Sequence, residues 1–272
     1  MKTLVITKEQ GIATVTIKNP PVNILTAELV DELNAFIVSL KDDTETKIVI
    51  FKSFHEKFFI AHFDLNVING TPEGRTVIIE FSHLIKNLKE MKQLSIAYVD
   101  GVARGGGDEF VMACDLAYGT ENSAFAQPEI GVNIPTGGQG GVQYARRMGK
   151  SKALEALLTG VDFNAEQAER LNIITKFVPK AEIDAYVNQI TSIVSTIDLE
   201  NIVMYKDIIN ASIKDEDAGA SVELRYFLER ARLDKTQTII TAFLNNGGQT
   251  EREANDMPGI FADTAAELSQ KM

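Results

Sequence analysis

The segment Ser95-Ile96-Ala97-Tyr98-Val99-Asp100-Gly101-Val102-Ala103-Arg104-Gly105-Gly106-Gly107-Asp108-Glu109 runs from a strand-like apolar stretch, through a turn, into three consecutive glycines. Phe110-Val111-Met112-Ala113-Cys114, which follows, suits a helix. Glycine lets a ligand or another backbone come close, and N–H groups at a helix start lack intrahelical acceptors, so they favour developing negative charge. On composition alone the segment reads either as an oxyanion site or as a tight strand-to-helix turn. A nucleotide-binding loop fits worse, because no Gly-Lys-Ser/Thr follows these glycines and they lack the G-x-G-x-x-G spacing.

Upstream, Leu4-Val5-Ile6 and Ile12 to Ile17, separated by Lys8-Glu9-Gln10-Gly11, read as a β-hairpin. Leu29, Val30, Leu33, Phe36, Ile37 and Leu40 recur at helical spacing after Thr26, a suitable N-cap. Lys47 to Phe51 reads as a buried strand, and Ser53 to Gly74 as a long loop with short turns, a length that more often signals function than accident. Ile78, Phe81, Ile85, Leu88 and Met91 restore a helical stripe before the strand Ile96 to Val99. Alternating strand and helix predicts an α/β domain with crossover helices.

Downstream, Asn164-Ala165-Glu166-Gln167 has capping-box form and opens a short helix. Ile173 to Val178 reads as a strand closed by Pro179. From Ala181 the pattern is helical, with Ile183, Tyr186, Val187, Ile190 and Val194 on one face and two further stretches reaching Leu244. Asn245-Asn246-Gly247-Gly248 then breaks the pattern before a polar tail.

The chain has 272 residues, of which 44% are hydrophobic and 24% charged, the composition of a folded globular protein. Lys and Arg total 27 against 38 for Asp and Glu, so a polyanion meets net repulsion and nucleic acid is not the expected partner. The longest apolar runs fall far short of the ~18 residues that span hydrocarbon, and no membrane association is expected. The first residues reach Lys8 and Glu9 before any secretory core develops. The single cysteine, Cys114, allows no internal disulfide and fits a reducing, cytoplasmic setting.

Twenty residues beyond Glu109 stands Glu129, in Ala124-Phe125-Ala126-Gln127-Pro128-Glu129, followed by the glycine-rich Pro135-Thr136-Gly137-Gly138-Gln139-Gly140-Gly141. Two carboxyls in an apolar cleft have separated pKa values, so one can give a proton while the other takes one. Among 38 acidic residues, spacing alone does not single out this pair. With three histidines and one cysteine, no metal-ligand spacing appears.

Several segments together resemble the enoyl-CoA hydratase/isomerase family, the crotonase superfamily, from about Leu4 to Val194. They are Asn19-Pro20-Pro21-Val22-Asn23, Phe59-Ile60-Ala61-His62-Phe63-Asp64-Leu65, the triple glycine through Glu109, Ala113-Cys114-Asp115-Leu116, and Phe125-Ala126-Gln127-Pro128-Glu129. Arg146 with Gly149-Lys150-Ser151, and Leu158-Thr159-Gly160, add to the resemblance. It implies a spiral of ββα turns with two roughly perpendicular sheets over residues 1–195 and a helical region over 196–272. It also implies a homotrimer or a dimer of trimers.

The resemblance further implies an oxyanion hole from the amides of Ala61 and Gly106, and Glu109 and Glu129 as the acid–base pair. The implied activity is addition of water to 2-trans-enoyl-CoA, with CoA as part of the substrate and no cofactor or metal. An isomerase or another enolate-forming acyl-CoA enzyme is one alternative, and a non-catalytic acyl-CoA binding protein is another. In the family the loop at Ala61 usually reads Ala-Gly-Ala-Asp, whereas here it reads Ala61-His62-Phe63-Asp64. His62 and Phe63 therefore either turn away and fill the loop, or meet the substrate and narrow the acyl channel. Asp64 and Lys57 complete the candidate binding residues, Lys57 as a partner for CoA phosphates.

Overall fold

A computed structural model describes residues 1–68, 71–214, 225, 229, 233–249 and 252–270. The opening hairpin pairs β1 (Leu4–Glu9) antiparallel to β2 (Ile12–Ile17) across Gln10 and Gly11, both at positive φ. Such a two-residue turn matches the twist of its strands. Ala13, Val15 and Ile17 are buried in alternation along β2. The predicted helix follows as α1 (Ala27–Ser39), with the Thr26 hydroxyl accepting from the Leu29 amide. Its expected stripe of Leu29, Val30, Leu33, Phe36 and Ile37 is buried.

From here the chain repeats one unit: a strand in a larger sheet, a short strand in a smaller sheet, then a helix. The first unit is β3 (Ile48–Ser53), β4 (Phe58–Ile60) and α2 (Pro72–Glu90). The second is β5 (Leu94–Val99), β6 (Val102–Arg104) and α3 (Gly106–Ala113). The third is β7 (Leu116–Gly119), β8 (Ala124–Ala126) and α4 (Gly140–Met148). Beyond these come α5 (Lys150–Thr159), β9 (Phe163–Asn164), α6 (Ala165–Arg170) and β10 (Lys176–Phe177). The larger sheet has the order β1-β2-β3-β5-β7-β10 and the smaller β4-β6-β8-β9. This is the expected spiral of ββα turns.

The inner strands of the larger sheet run parallel, and Ile48 to Phe51 are buried without alternation. A strand covered on both faces has no solvent side to encode. Phe110 of α3 meets Phe51 of β3 edge-on at 5.1 Å and Phe59 of β4 at 6.4 Å, so one aromatic anchors α3 to a strand of each sheet. Asn23 is buried and donates to Ser53 Oγ at 2.8 Å and the Phe59 carbonyl at 3.2 Å, tying the Asn19–Asn23 motif to the same two strands.

Two expectations need correction. The segment Ser53 to Gly74 does hold a short 3-10 turn at Leu65–Val67, but it also contains β4, and α2 already begins at Pro72. A three-residue strand completes barely one alternation, so its period is unreadable. Of the predicted strand Ile173 to Val178 only Lys176–Phe177 pairs, while Ile173 and Ile174 are buried in the main core. The polar tail, within the region expected to be helical, carries the helical stretch Arg252–Ser269, kinked at Asp256, after the turn at Asn246 to Gln249.

The capping box at Asn164 forms both of its bonds: the Gln167 amide donates to Asn164 Oδ1, and the Asn164 amide to Gln167 Oε1. The chain divides into two compact units, Met1–Ile202 and Val203–Met272. The later helical stretches are Ile183–Val194, Leu199–Lys214 and Asp234–Asn245, and the part of the pattern at 215–224 lies outside the described residues. Within the second unit the Phe243 and Phe261 rings meet at 5.5 Å. Among the described residues no helix is long and apolar enough to cross a membrane.

Candidate active site

The three glycines before Glu109 answer three separate demands. Gly105 has φ 51° and ψ −123°, a backbone state closed to residues with a side chain. A Cβ there would also lie 2.7 Å from Glu129 Oε1. At Gly106 a Cβ would lie 2.9 Å from Leu25 Cδ1, and at Gly107 it would run into the Ile60 carbonyl oxygen. The first turn of α3 is therefore pressed against the end of β4, one residue before Ala61. Gly106 opens α3, so its N–H has no acceptor inside the helix. The close packing expected of these glycines is therefore present, and it leaves the Gly106 N–H at the start of α3.

Glu109 stands in the first turn of α3 and is almost completely buried, 2% exposed. Its Oε1 accepts from the amides of Gly138 and Gly140, each at 2.7 Å. Burial pushes the carboxyl up to about 7, with the charge of Glu129 adding and the two amides opposing. Glu129 lies in a 3-10 turn, Glu129–Val132. Burial raises its pKa also, against its own backbone amide and the nearby His62 imidazole. Its Oε2 is buried without a hydrogen-bond partner.

Both carboxyls line a cavity of about 560 Å³, within the range of small-molecule sites. Gly105, Gly106, Arg104, His62 and Phe63 share this lining with them, and Leu65, Ile68, Ile78, Phe81, Val132 and Ile134 form its apolar wall. The loop carrying His62 and Phe63 is pinned to Leu25, whose amide donates to the His62 carbonyl at 2.9 Å and whose carbonyl accepts from Asp64. Phe63 leans on Phe81, ring centroids 5.3 Å apart, and His62 Nδ1 lies 2.8 Å from its neighbour's carbonyl oxygen. These two side chains face the cavity and leave it open.

Ala61 is buried and adjoins the lining residue His62. Asp64 caps the Leu65–Val67 turn, its Oδ1 accepting from the Asn66 amide. Lys57 lies outside the cavity lining, and its backbone joins β4 to β6 through the Val102 amide. Asp115 accepts from the Ser95 amide and hydroxyl, a structural use, and Cys114 is buried. Among the described residues no group of three or more His, Cys, Asp or Glu side chains is arranged to hold a metal ion.

Several site residues escape a reading by motif. The amides of Gly138 and Gly140 hold Glu109 from 29 and 31 residues away. The glycine-rich composition of that segment was the available signal, but it names no acceptor. Arg104 lines the cavity while pairing with Asp162 through two bonds, at 2.7 and 2.6 Å. Behind Glu109, the buried Asp108 bonds Gln127 and Tyr144, and nothing in the pattern announced that group.

The family model described as Enoyl-CoA hydratase/isomerase matches residues 7–250. The chain is 28% identical over 248 residues to the short-chain-enoyl-CoA hydratase of Clostridium acetobutylicum, covering 90% of this chain and 95% of that protein. It is 27% identical over 257 residues to the crotonyl-CoA hydratase of Syntrophomonas wolfei, covering 93% and 96%. The solved structure of an enoyl-CoA hydratase from Geobacillus kaustophilus superposes with a TM-score of 0.83 at 24% identity, over 89% of this chain and 94% of that one. That superposition shows a shared crotonase fold. With a family match spanning nearly the whole spiral and its glycine turn, the chain belongs to the enoyl-CoA hydratase/isomerase family.

Proposed function

We propose that this protein adds water across the double bond of 2-trans-enoyl-CoA thioesters, with Glu109 and Glu129 as its acid–base pair. The observation that carries this reading is the pair of carboxyls on one cavity beside the N-terminal end of α3, which has no side-chain cap. Glu109, gripped through Oε1, keeps its other oxygen to orient and deprotonate the attacking water. Glu129, raised by burial, delivers a proton to C2 as the water oxygen bonds C3. The proton taken by Glu109 then returns to Glu129 through solvent.

During addition, charge collects on the thioester oxygen as an enolate. The amides of Ala61 and Gly106 are the donors for it, and each such donor is worth roughly 3 to 4 kcal/mol in the transition state. CoA enters with the substrate, and the scheme calls on no separate cofactor or metal. Retention of both glutamates favours hydration over double-bond migration, which needs one group to carry a proton between carbons. The open cavity disfavours a closed, purely binding protein.

The test is a spectrophotometric screen of enoyl-CoA thioesters of several lengths and branching patterns, following loss of the conjugated double bond. Turnover of at least one is expected. No turnover anywhere, with CoA-ester binding seen by calorimetry, favours the binding protein. Loss of Glu109→Gln activity alongside full activity in Glu129→Gln, or the reverse, favours the isomerase.

Phe63 supplies the specificity test. Phe63→Ala removes the ring that leans on Phe81 at the cavity wall. Longer or branched enoyl-CoAs are expected to gain about tenfold in kcat/KM relative to crotonyl-CoA, the discrimination that roughly one or two methylenes carry in an apolar pocket. An unchanged ratio across the panel removes Phe63 from the acyl channel.

A further inference from the structure

Asp108 precedes Glu109 on α3, is completely buried, and does not line the cavity. Its Oδ2 accepts from Gln127 Nε2 at 2.9 Å and from the Tyr144 hydroxyl at 2.8 Å. Its Oδ1 has no partner, and neither does Oε1 of the equally buried Gln127. A carboxylate with one bare oxygen in the protein interior is strongly disfavoured. Among the described residues no cation is bonded to it: Arg147 of α4, whose charge only partly offsets the burial, spends its guanidinium on the carbonyls of Met112, Asn172 and Ile173. The other charged neighbour is Glu109, of like sign.

We propose that Asp108 is a positioning residue held in its neutral form, with its proton on Oδ1 and Gln127 Oε1 as the acceptor. One proton then turns two orphaned oxygens into a donor and an acceptor and completes an acid–amide pair with the existing Nε2 to Oδ2 bond. Burial, which pushes the Asp108 carboxyl up to about 7, acts in the same direction.

The topology gives this pair a task. Asp108 grips α4 through Tyr144, while the start of α4 grips Glu109 through Gly140. Gln127 is packed against Gly140 as well, since a Cβ at that glycine would strike its amide. A neutral Asp108 thus holds in place the amides that stabilise a charged Glu109 and adds no second negative charge beside it. This role for Glu109 rests on the hydratase reading, whereas the protonation state of Asp108 does not.

Infrared spectroscopy separates the two. At about pH 6, where exposed carboxyls are ionised, the double variant Glu109→Gln/Glu129→Gln is expected to keep a buried carboxylic-acid C=O band. Adding Asp108→Asn should remove it. Absence of the band from the double variant, which retains Asp108 itself, overturns the proposal even if Asp108→Asn fails to fold. No substrate is needed, so an inactive enzyme leaves this result standing.

Kinetics gives a second readout. Asp108→Asn should leave the acid limb of kcat/KM in place. Movement of that limb to lower pH by about one unit or more means a charge was removed beside Glu109, and so overturns the neutral assignment. Asp108→Ala should lower kcat about a hundredfold with KM little changed, a loss that small misplacements of catalytic groups produce, and Asn should restore most of it.

Discussion

Glu109→Gln is expected to lower kcat for crotonyl-CoA hydration about a thousandfold, within the usual contribution of a positioned acid–base group. The amide has the same shape, and its oxygen can still accept from Gly138 and Gly140, so the loss reports the missing base. Because burial raises the pKa of Glu109 to about 7, kcat/KM of the unmodified enzyme should fall along an acid limb near neutrality.

Stability should move the other way. The folded-state pKa lies above the unfolded value, so the stability that Glu109 contributes is complete below about pH 4 and is lost as pH rises through about 7. Glu109→Gln is neutral throughout. It should therefore be more stable than the unmodified protein at about pH 8, by on the order of 3 kcal/mol, and melt at a higher temperature, with the difference vanishing toward about pH 4. Paired thermal melts check the sign. Activity within tenfold of the unmodified enzyme would rule Glu109 out as the base.

Gly107→Ala has the second large effect, and it acts through the fold. The new Cβ is directed at the Ile60 carbonyl oxygen and also lies 3.0 Å from the Ile60 carbonyl carbon and Cβ. No rotamer relieves a clash between backbone atoms, so α3 must lift from β4. Overpacking typically costs about 1 to 3 kcal/mol, and this position belongs at the upper end. For a chain of this size that corresponds to a fall in Tm of about 10 °C. The amides of Ala61 and Gly106 separate with the same movement, so activity should drop further than stability. Gly131→Ala is the control: a Cβ there meets nothing within 4 Å, and its Tm should hardly change.

How far the chain could be read residue by residue follows from the range of each interaction. The stripe of α1, the hairpin, the capping box at Asn164 and the buried run Ile48 to Phe51 are local patterns, and each appears where its spacing places it. The second sheet was expected from the resemblance and not from any local pattern, because β4, β6 and β8 have three residues each, too few to establish a period. The tail's polar composition showed no apolar stripe, yet Ile260 and Thr264 of its helical segment are buried. A handful of inward residues suffices once another helix is present to cover them.

The candidate site divides in the same way. Glu109, Glu129 and the triple glycine were visible as residues, because motif chemistry attaches to residue type and local order. Which amides hold Glu109, which oxygen of Glu129 stays bare, and that Asp108 is bonded to Tyr144 36 residues away were not. By itself the sequence determined the long amphipathic elements, the caps and the glycines, since these depend on neighbours within a turn or two. Only the tertiary structure decided that His62 and Phe63 face the cavity, that Gly107 touches Ile60, and that two adjacent carboxyls are buried with different partners. Those relations join segments far apart in the chain, and they exist only once burial has fixed the distances between them.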